Sequence, residues 1–225
     1  LRILEALDAR PRRTIRLALW SGEEQGLLGS REYVRRHLEG DANRAARDRF
    51  SVYFNLDNGE VPIYGFYLEG NEAMRPIMDA YLRPFQDYTS MYNTQQGIGA
   101  TDHLSFLRTG VPGYQAIHDY TDYDVRTHHT NMDTFDRIDG ESLVHAAVVM
   151  ASILYHAAMR DDLLPRKPMP QAPKEKKKKK RKRSSMNSGE LSRHRTLFLE
   201  QKATKKTKGR EGRASLSSFS SLPSV

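Results

Sequence analysis

Two adjacent carboxylates stand in the stretch SGEEQGLLGS, directly after an apolar segment of the chain. Glu23 and Glu24 repel each other when both are ionised, and neither side chain suits a hydrophobic core. Asp57 follows the next apolar segment in the same way. Because three acids at one site need cations or protons to offset their charge, the pattern indicates a divalent metal. The alternative is that Glu23 and Glu24 occupy the first turn of a helix, where acids favour the helix dipole.

A second group of candidate ligands lies in RTHHTNMDTFDRID, residues 126–139. His128 and His129 are followed there by one Asn and three Asp, and imidazole with carboxylate is a ligand set that suits zinc. The chain contains no Cys, so any bound metal must use His and carboxylate ligands. Taken alone, two adjacent His are more often an ordinary surface pair, and the following residues are then a turn with Asp133 capping the next helix.

The segments around these side chains alternate between strand and helix patterns. We predict strands at residues 13–20, 51–57, 63–70 and 113–119, and helices at residues 25–38, 71–85 and 140–159. This alternation predicts an α/β fold with an open sheet. Open sheets bind ligands at the carboxyl ends of their strands, so we expect Glu23, Glu24 and Asp57 to meet at one edge.

Charge divides the chain into two parts. Residues 165–225 hold 19 Lys and Arg against 4 Asp and Glu, whereas the preceding residues hold 17 against 24. This change predicts a body over residues 1–162 and a basic, low-complexity, disordered tail over residues 163–225. The tail contains KKKKKRKR, so nucleic acid is an expected partner only through non-specific phosphate contacts. No apolar run reaches the roughly 20 residues of a membrane span, so we expect none.

Four segments, in order, resemble a known family: RTIRLALWSGEEQGLLGSREYV, NLDNG, GATDHLSFLRTGVPGYQ and RTHHTNMDT. They are similar to zinc-dependent exopeptidases with two co-catalytic metals, which include leucyl-type aminopeptidases and glutamate carboxypeptidases, and most similar to the plasma glutamate carboxypeptidase branch. The resemblance covers about residues 1–160 and implies a three-layer sandwich, an open mixed sheet with flanking helices. It implies hydrolysis of a terminal peptide bond in short peptides or dipeptides, and it is compatible with a homodimer and with a secreted, lysosomal or periplasmic location.

The resemblance also assigns roles to single residues. Glu23 becomes the general base that takes a proton from the attacking water, and Glu24 becomes a ligand of one Zn²⁺. Asp57 and His129 become ligands of the second Zn²⁺. An adjacent pair of acids then makes chemical sense, because one of them holds a metal while the other stays free to move a proton.

The segment GATDHLSF supplies three further candidates, Thr101, Asp102 and His103, which the resemblance puts near the pocket wall. There they orient a ligand or the substrate, whereas the alternative interpretation is a polar loop before a strand. The family pattern also has a His-x-Asp segment and a metal-bridging Asp before the helix in which this chain starts. We therefore expect a carboxyl-terminal part of an exopeptidase that is weak or inactive alone. A non-catalytic binding domain and a nucleic-acid-binding protein are the alternatives.

Overall fold

The computed structural model describes residues 1–59, 62–87, 92–118 and 122–168. The helices described are α1 (Arg2–Ala6), α2 (Leu28–His37), α3 (Arg44–Arg49), α4 (Arg75–Leu82), α5 (His103–Leu107) and α6 (Gly140–Met159). The strands are β1 (Tyr53–Asn55), β2 (Gly65–Phe66) and β3 (Gly113–Ile117). Short 3₁₀ turns precede and follow α4, at Glu72–Met74 and Arg83–Phe85, so the helix predicted over residues 71–85 is confirmed with interruptions near its prolines.

The sheet has the order β1-β3-β2 and is mixed. β1 runs parallel to β3, with Tyr53 opposite Gly113, whereas β2 runs antiparallel to β3, with Phe66 opposite Ala116. Every residue of the central strand β3 is buried, as its predominantly apolar sequence requires. The prediction of an open mixed sheet is confirmed.

Helices cover both faces of this sheet. The larger apolar core lies on one face and includes Phe54, Met78 from α4 and Ile153 from α6. A smaller core on the opposite face joins Val34 of α2 to Phe106 of α5, with Tyr53 packed against it. Neighbouring residues of one strand point to opposite faces, so Tyr53 and Phe54 contact the two cores separately. The predicted three-layer arrangement is confirmed.

The helix predicted over residues 140–159 matches the bounds of α6. Its length and apolar composition meet the requirement for a membrane span, which corrects the expectation that no apolar run is long enough. Val149 and Ile153 are fully buried in the larger core, so α6 serves as a core helix of this body. Val144 remains 64% exposed on another face of the same helix.

The strand predicted over residues 13–20 is wrong, because the segment forms no ladder with any strand in the described part of the chain. Leu17 is 70% exposed and Leu19 is 88% exposed. The segment lies along an open groove of about 1840 Å³ that is also lined by β1 and by α6. An apolar alternating pattern favours an extended backbone, but a strand also needs a hydrogen-bonded neighbour, which the pattern cannot specify.

Residues 163–168, predicted to belong to the tail, pack against the body. Leu164 is 2% exposed and lies in the larger core, and the carbonyl of Pro165 accepts a hydrogen bond of 2.8 Å from Nδ2 of Asn71. Arg166 donates to the carbonyl of Phe50 at 2.7 Å. The packed body therefore continues beyond the change in composition at Pro165. The rest of the predicted tail, including the lysine run, lies outside the described residues.

Candidate active site

A tight turn carries Glu23 and Glu24 between the segment at residues 13–20 and α2. The N–H of Gly29 donates to the carbonyl of Ser21 at 2.9 Å, which folds the start of α2 back onto the turn. A Cβ on Gly29 would lie 2.7 Å from that carbonyl oxygen, so only glycine permits this approach. Because α2 begins at Leu28, neither acid lies in its first turn, and the helix-dipole explanation for the acidic pair does not hold.

Glu24 contacts His129, a residue far away in the sequence. Oε2 of Glu24 lies 2.8 Å from Nε2 of His129, and both side chains are more than half exposed. The neighbouring His128 stacks on Tyr123 with ring centroids 4.5 Å apart. An exposed ion pair adds little stability, so the importance of the contact is that it joins two predicted metal ligands.

The electrostatics of Glu23 show that the other predicted acids are close to it. Burial raises the pKa of the Glu23 carboxyl, and the nearby carboxylates of Asp57, Glu24 and Asp102 raise that pKa further. His129 acts in the opposite direction and lowers it. The structure therefore brings acids from three separate segments close together, although the strand predicted before Glu23 and Glu24 does not form.

Asp57 lies two residues beyond the end of β1 and is held by hydrogen bonds. Its Oδ2 atom accepts a bond of 2.7 Å from the hydroxyl of Thr101, and its backbone carbonyl accepts one of 2.6 Å from Nε2 of Gln115. Nδ2 of Asn55 donates to both Thr101 and Gln115, at 2.6 Å each. Sequence reasoning missed Asn55 and Gln115. The available signal was a polar residue in each of two buried strands, because buried polar groups need partners.

Thr101, Asp102 and His103 are nearly inaccessible to solvent and stand at the start of α5. The interpretation as a polar loop before a strand is therefore wrong, since the segment leads into a helix. Burial raises the pKa of the Asp102 carboxyl. Nε2 of His103 lies 3.0 Å from Oε1 of Glu69, a residue that sequence reasoning also missed.

Asp133 does not cap the helix that follows the two histidines. The residue before α6 is Asp139, and its Oδ2 atom accepts a hydrogen bond of 2.7 Å from the N–H of Ser142. Asp139 is therefore the N-cap, which satisfies one of the unpaired amides at the start of α6. No contact of Asp133 with Glu24 or Asp57 is found in the described part of the chain.

The predicted ligands fit zinc in their chemistry and in part of their geometry. Carboxylate oxygen and imidazole nitrogen are common zinc ligands, and the side chains of Glu24 and His129 contact each other directly. Across residues 1–59, 62–87, 92–118 and 122–168, however, no group of three or more His, Asp or Glu side chains is arranged to hold a metal ion. The described residues therefore supply part of a site rather than a complete one.

A mixed sheet with helices on both faces and a cluster of acids beside it defines a layered α/β protein with a candidate ligand site. The chain belongs to peptidase family M28, whose family model matches residues 1–154.

Individual relatives agree with this assignment. Carboxypeptidase Q of Rattus norvegicus is 31% identical over 168 residues, which cover 74% of this chain and 34% of the relative. Carboxypeptidase Q of Homo sapiens is 31% identical over 166 residues, with the same coverage. The chain thus spans about a third of the length of these relatives.

Solved structures share the fold. The crystal structure of a peptidase M28 precursor from Shewanella amazonensis superimposes with a TM-score of 0.59 at 28% identity, covering 73% of this chain and 35% of that one. A zinc aminopeptidase from Bacillus subtilis gives a TM-score of 0.50 at 24% identity, covering 64% of this chain and 35% of that one. Both matches support the layered α/β fold.

Proposed function

We propose that this chain contributes the catalytic edge of a zinc-dependent exopeptidase that hydrolyses a terminal peptide bond of short peptides. The observation that carries the proposal is the contact between Glu24 and His129, which lies beside the carboxylates of Glu23 and Asp57. Membership of peptidase family M28 and similarity to carboxypeptidase Q support the same chemistry.

Two zinc ions are proposed, each with a share of the described ligands. Glu24 and His129 hold one ion, because their side chains already meet, and Asp57 contributes to the other. This division differs from the one implied by the sequence resemblance, in which Asp57 and His129 share an ion. When bound, zinc polarises the scissile carbonyl and makes water easier to deprotonate.

Glu23 is the proposed general base. Its neighbouring carboxylates and its partial burial both raise the pKa of its carboxyl, which makes the ionised group a better proton acceptor. Glu23 takes a proton from the attacking water and delivers it to the leaving amine. Its position next to Glu24 on one turn keeps the base beside a metal ligand without making it a ligand itself.

A non-catalytic binding domain is the competing function, and one observation favours it. The described residues lack a group of three converging ligands, whereas zinc sites in proteins ordinarily use three or four. The non-catalytic domain keeps the sheet and has lost the metals, so only the exopeptidase predicts zinc binding and zinc-dependent cleavage of a peptide. A secreted, lysosomal or periplasmic location also stays a prediction.

The test combines calorimetry with peptide hydrolysis. We expect Zn²⁺ to bind the chain, and the double variant Glu24→Ala/His129→Ala to lose most of that affinity. We further expect cleavage of an unblocked dipeptide to depend on zinc, and blocking the recognised terminus by acetylation or amidation to abolish it. Equal zinc affinity in the double variant would contradict the metal site. No zinc binding by the unaltered chain would favour the non-catalytic domain.

A further inference from the structure

Glu69 follows β2 along the chain, and its carboxylate is nearly enclosed, with 12% of the side chain exposed. Its Oε1 atom accepts a hydrogen bond of 2.9 Å from the backbone N–H of Ile98 and lies 3.0 Å from Nε2 of His103. The second contact joins this carboxyl group to an imidazole that is fully buried. One carboxylate therefore fixes both a loop and the first residue of α5.

The backbone around Glu69 is shaped to hold this carboxylate in place. Glu69 has a φ of +55°, a left-handed conformation that residues other than glycine seldom adopt. A Cβ on Gly97 would lie 2.4 Å from Oε2 of Glu69, so the glycine leaves room for the carboxylate in its present position. The ammonium group of Lys167 donates to the carbonyl of Glu69. Strained backbone of this kind persists where surrounding contacts determine it, as they do here.

The segment that contains His103 also contacts the proposed metal ligand Asp57. Thr101 stands two residues before His103 and is 1% exposed. Its hydroxyl donates to Oδ2 of Asp57 at 2.7 Å and accepts a hydrogen bond of 2.6 Å from Nδ2 of Asn55. Because Thr101 and His103 are joined by a single residue, a contact that fixes the imidazole also limits the movement of the hydroxyl.

We propose that Glu69 and His103 are positioning residues for Asp57 and that they act through Thr101. This inference rests on the proposed function, in which Asp57 is a zinc ligand. Neither member of the pair contacts the attacking water or the substrate. Together they keep the hydroxyl of Thr101 on the Asp57 carboxylate, which would hold that carboxylate in place as a zinc ligand. Hydrogen bonds to metal ligands commonly change metal affinity by about 10-fold to 100-fold.

The first part of the test removes the hydroxyl with little change in volume. In Zn²⁺ calorimetry on the whole chain, Thr101→Val lowers the affinity for the ion that Asp57 holds by about 10-fold or more, and Thr101→Ser, which keeps the hydroxyl, retains most of that affinity. Thermal unfolding without metal establishes that both variants are folded. If Thr101 had only a structural role, the loss of zinc affinity in each variant would match its loss of thermal stability. It would not depend on whether the variant keeps the hydroxyl.

The second part removes the carboxylate at a distance from Asp57. Glu69→Ala lowers zinc affinity, whereas Glu69→Gln keeps an oxygen that can accept both hydrogen bonds and retains most of it. Glu72→Ala is the matched control, because Glu72 is 76% exposed and lies outside the pair, and it leaves affinity unchanged. Since Glu69 acts through Thr101, the double variant Glu69→Ala/Thr101→Val loses no more affinity than Thr101→Val alone.

The outcomes separate the inference from the function on which it rests. If the unaltered chain binds no zinc, the proposed function is wrong, and the inference is wrong with it. If the unaltered chain binds zinc and Thr101→Val or Glu69→Ala binds it equally well, the positioning role alone is wrong. Losses that simply add in the double variant show two independent effects and also contradict the inference.

Discussion

Oε2 of Glu24 lies 2.8 Å from Nε2 of His129, although more than 100 residues separate them in the sequence. Glu24 lies in the turn before α2, and His129 lies in the segment before α6. Neither motif identifies a metal site by itself, since paired acids and paired histidines both occur on ordinary surfaces. Their contact is what makes a shared ligand role the simplest explanation.

Zinc binding should therefore depend on one of the two adjacent histidines. We expect His129→Ala to lower Zn²⁺ affinity by about 10-fold or more in calorimetry, because it removes a direct ligand. His128→Ala is the matched control, since His128 stacks on Tyr123 instead of contacting Glu24, and its affinity should stay close to that of the unaltered chain. The reverse result would assign the ligand to His128.

Replacing the proposed base should separate proton transfer from metal binding. Glu23→Gln keeps the size of the side chain but cannot accept a proton, so turnover should fall by roughly 100-fold or more in a form of the protein with measurable peptidase activity. Zinc content should stay unchanged. Glu24→Gln should instead lower zinc content and turnover together, with partial recovery in excess zinc. Exchanged behaviour of the two variants would reverse the roles of Glu23 and Glu24.

Local patterns predicted the elements that local sequence determines. The apolar run of α6 and the buried strand β3 were predicted from their own residues. The strand at residues 13–20 was wrong because strand formation depends on a neighbour elsewhere in the chain. At the site, only the position of Asp57 follows from the end of an observed strand, β1, whereas a turn without a preceding strand places Glu23 and Glu24. The contact of Glu69 with His103 was not predicted. It depends on a loop conformation, and the spacing of apolar residues in the sequence does not specify loop conformations.

A pair of identical substitutions tests both corrections to the fold. Leu164 is 2% exposed, so Leu164→Ala should lower the free energy of unfolding by about 2–4 kcal/mol. Leu19 is 88% exposed, so Leu19→Ala should change it by less than about 0.5 kcal/mol. Urea denaturation measures both. A large effect of Leu19→Ala on the free energy of unfolding would mean that residues 13–20 are buried. A small effect of Leu164→Ala would mean that Leu164 does not pack in the core and belongs to the tail.

The basic run should account for any affinity of the chain for nucleic acid. A chain that ends at Pro168 keeps the packed residues 163–168 and loses the run KKKKKRKR. We expect binding of single-stranded or double-stranded DNA to disappear in this shortened chain and to fall steeply with salt in the full chain. Fluorescence anisotropy over a range of salt concentrations measures it. Binding that survives the truncation would identify a phosphate-binding surface on the acidic body.

The last prediction concerns the pH dependence of the α6 cap. The hydrogen bond from Ser142 lowers the pKa of the Asp139 carboxyl below its ordinary value, because the ionised form is the better acceptor. A carboxyl whose pKa is lower in the folded state stabilises the fold above its unfolded pKa, about 4, and this contribution is lost as the pH falls through the folded pKa. Asp139→Ala should therefore lower Tm by a few degrees at pH 6.

The pH series needs a cap that does not titrate as its control. Asn caps helices about as well as Asp, so Asp139→Asn should keep most of the Tm at pH 6, and its advantage over Asp139→Ala should persist down to pH 3. The advantage of the unaltered chain over Asp139→Ala should instead shrink across the same range. Comparing variants cancels the titration of every other carboxylate. Parallel pH profiles for the unaltered chain and the Asp139→Asn variant would mean that ionisation of the cap adds nothing to the stability of α6.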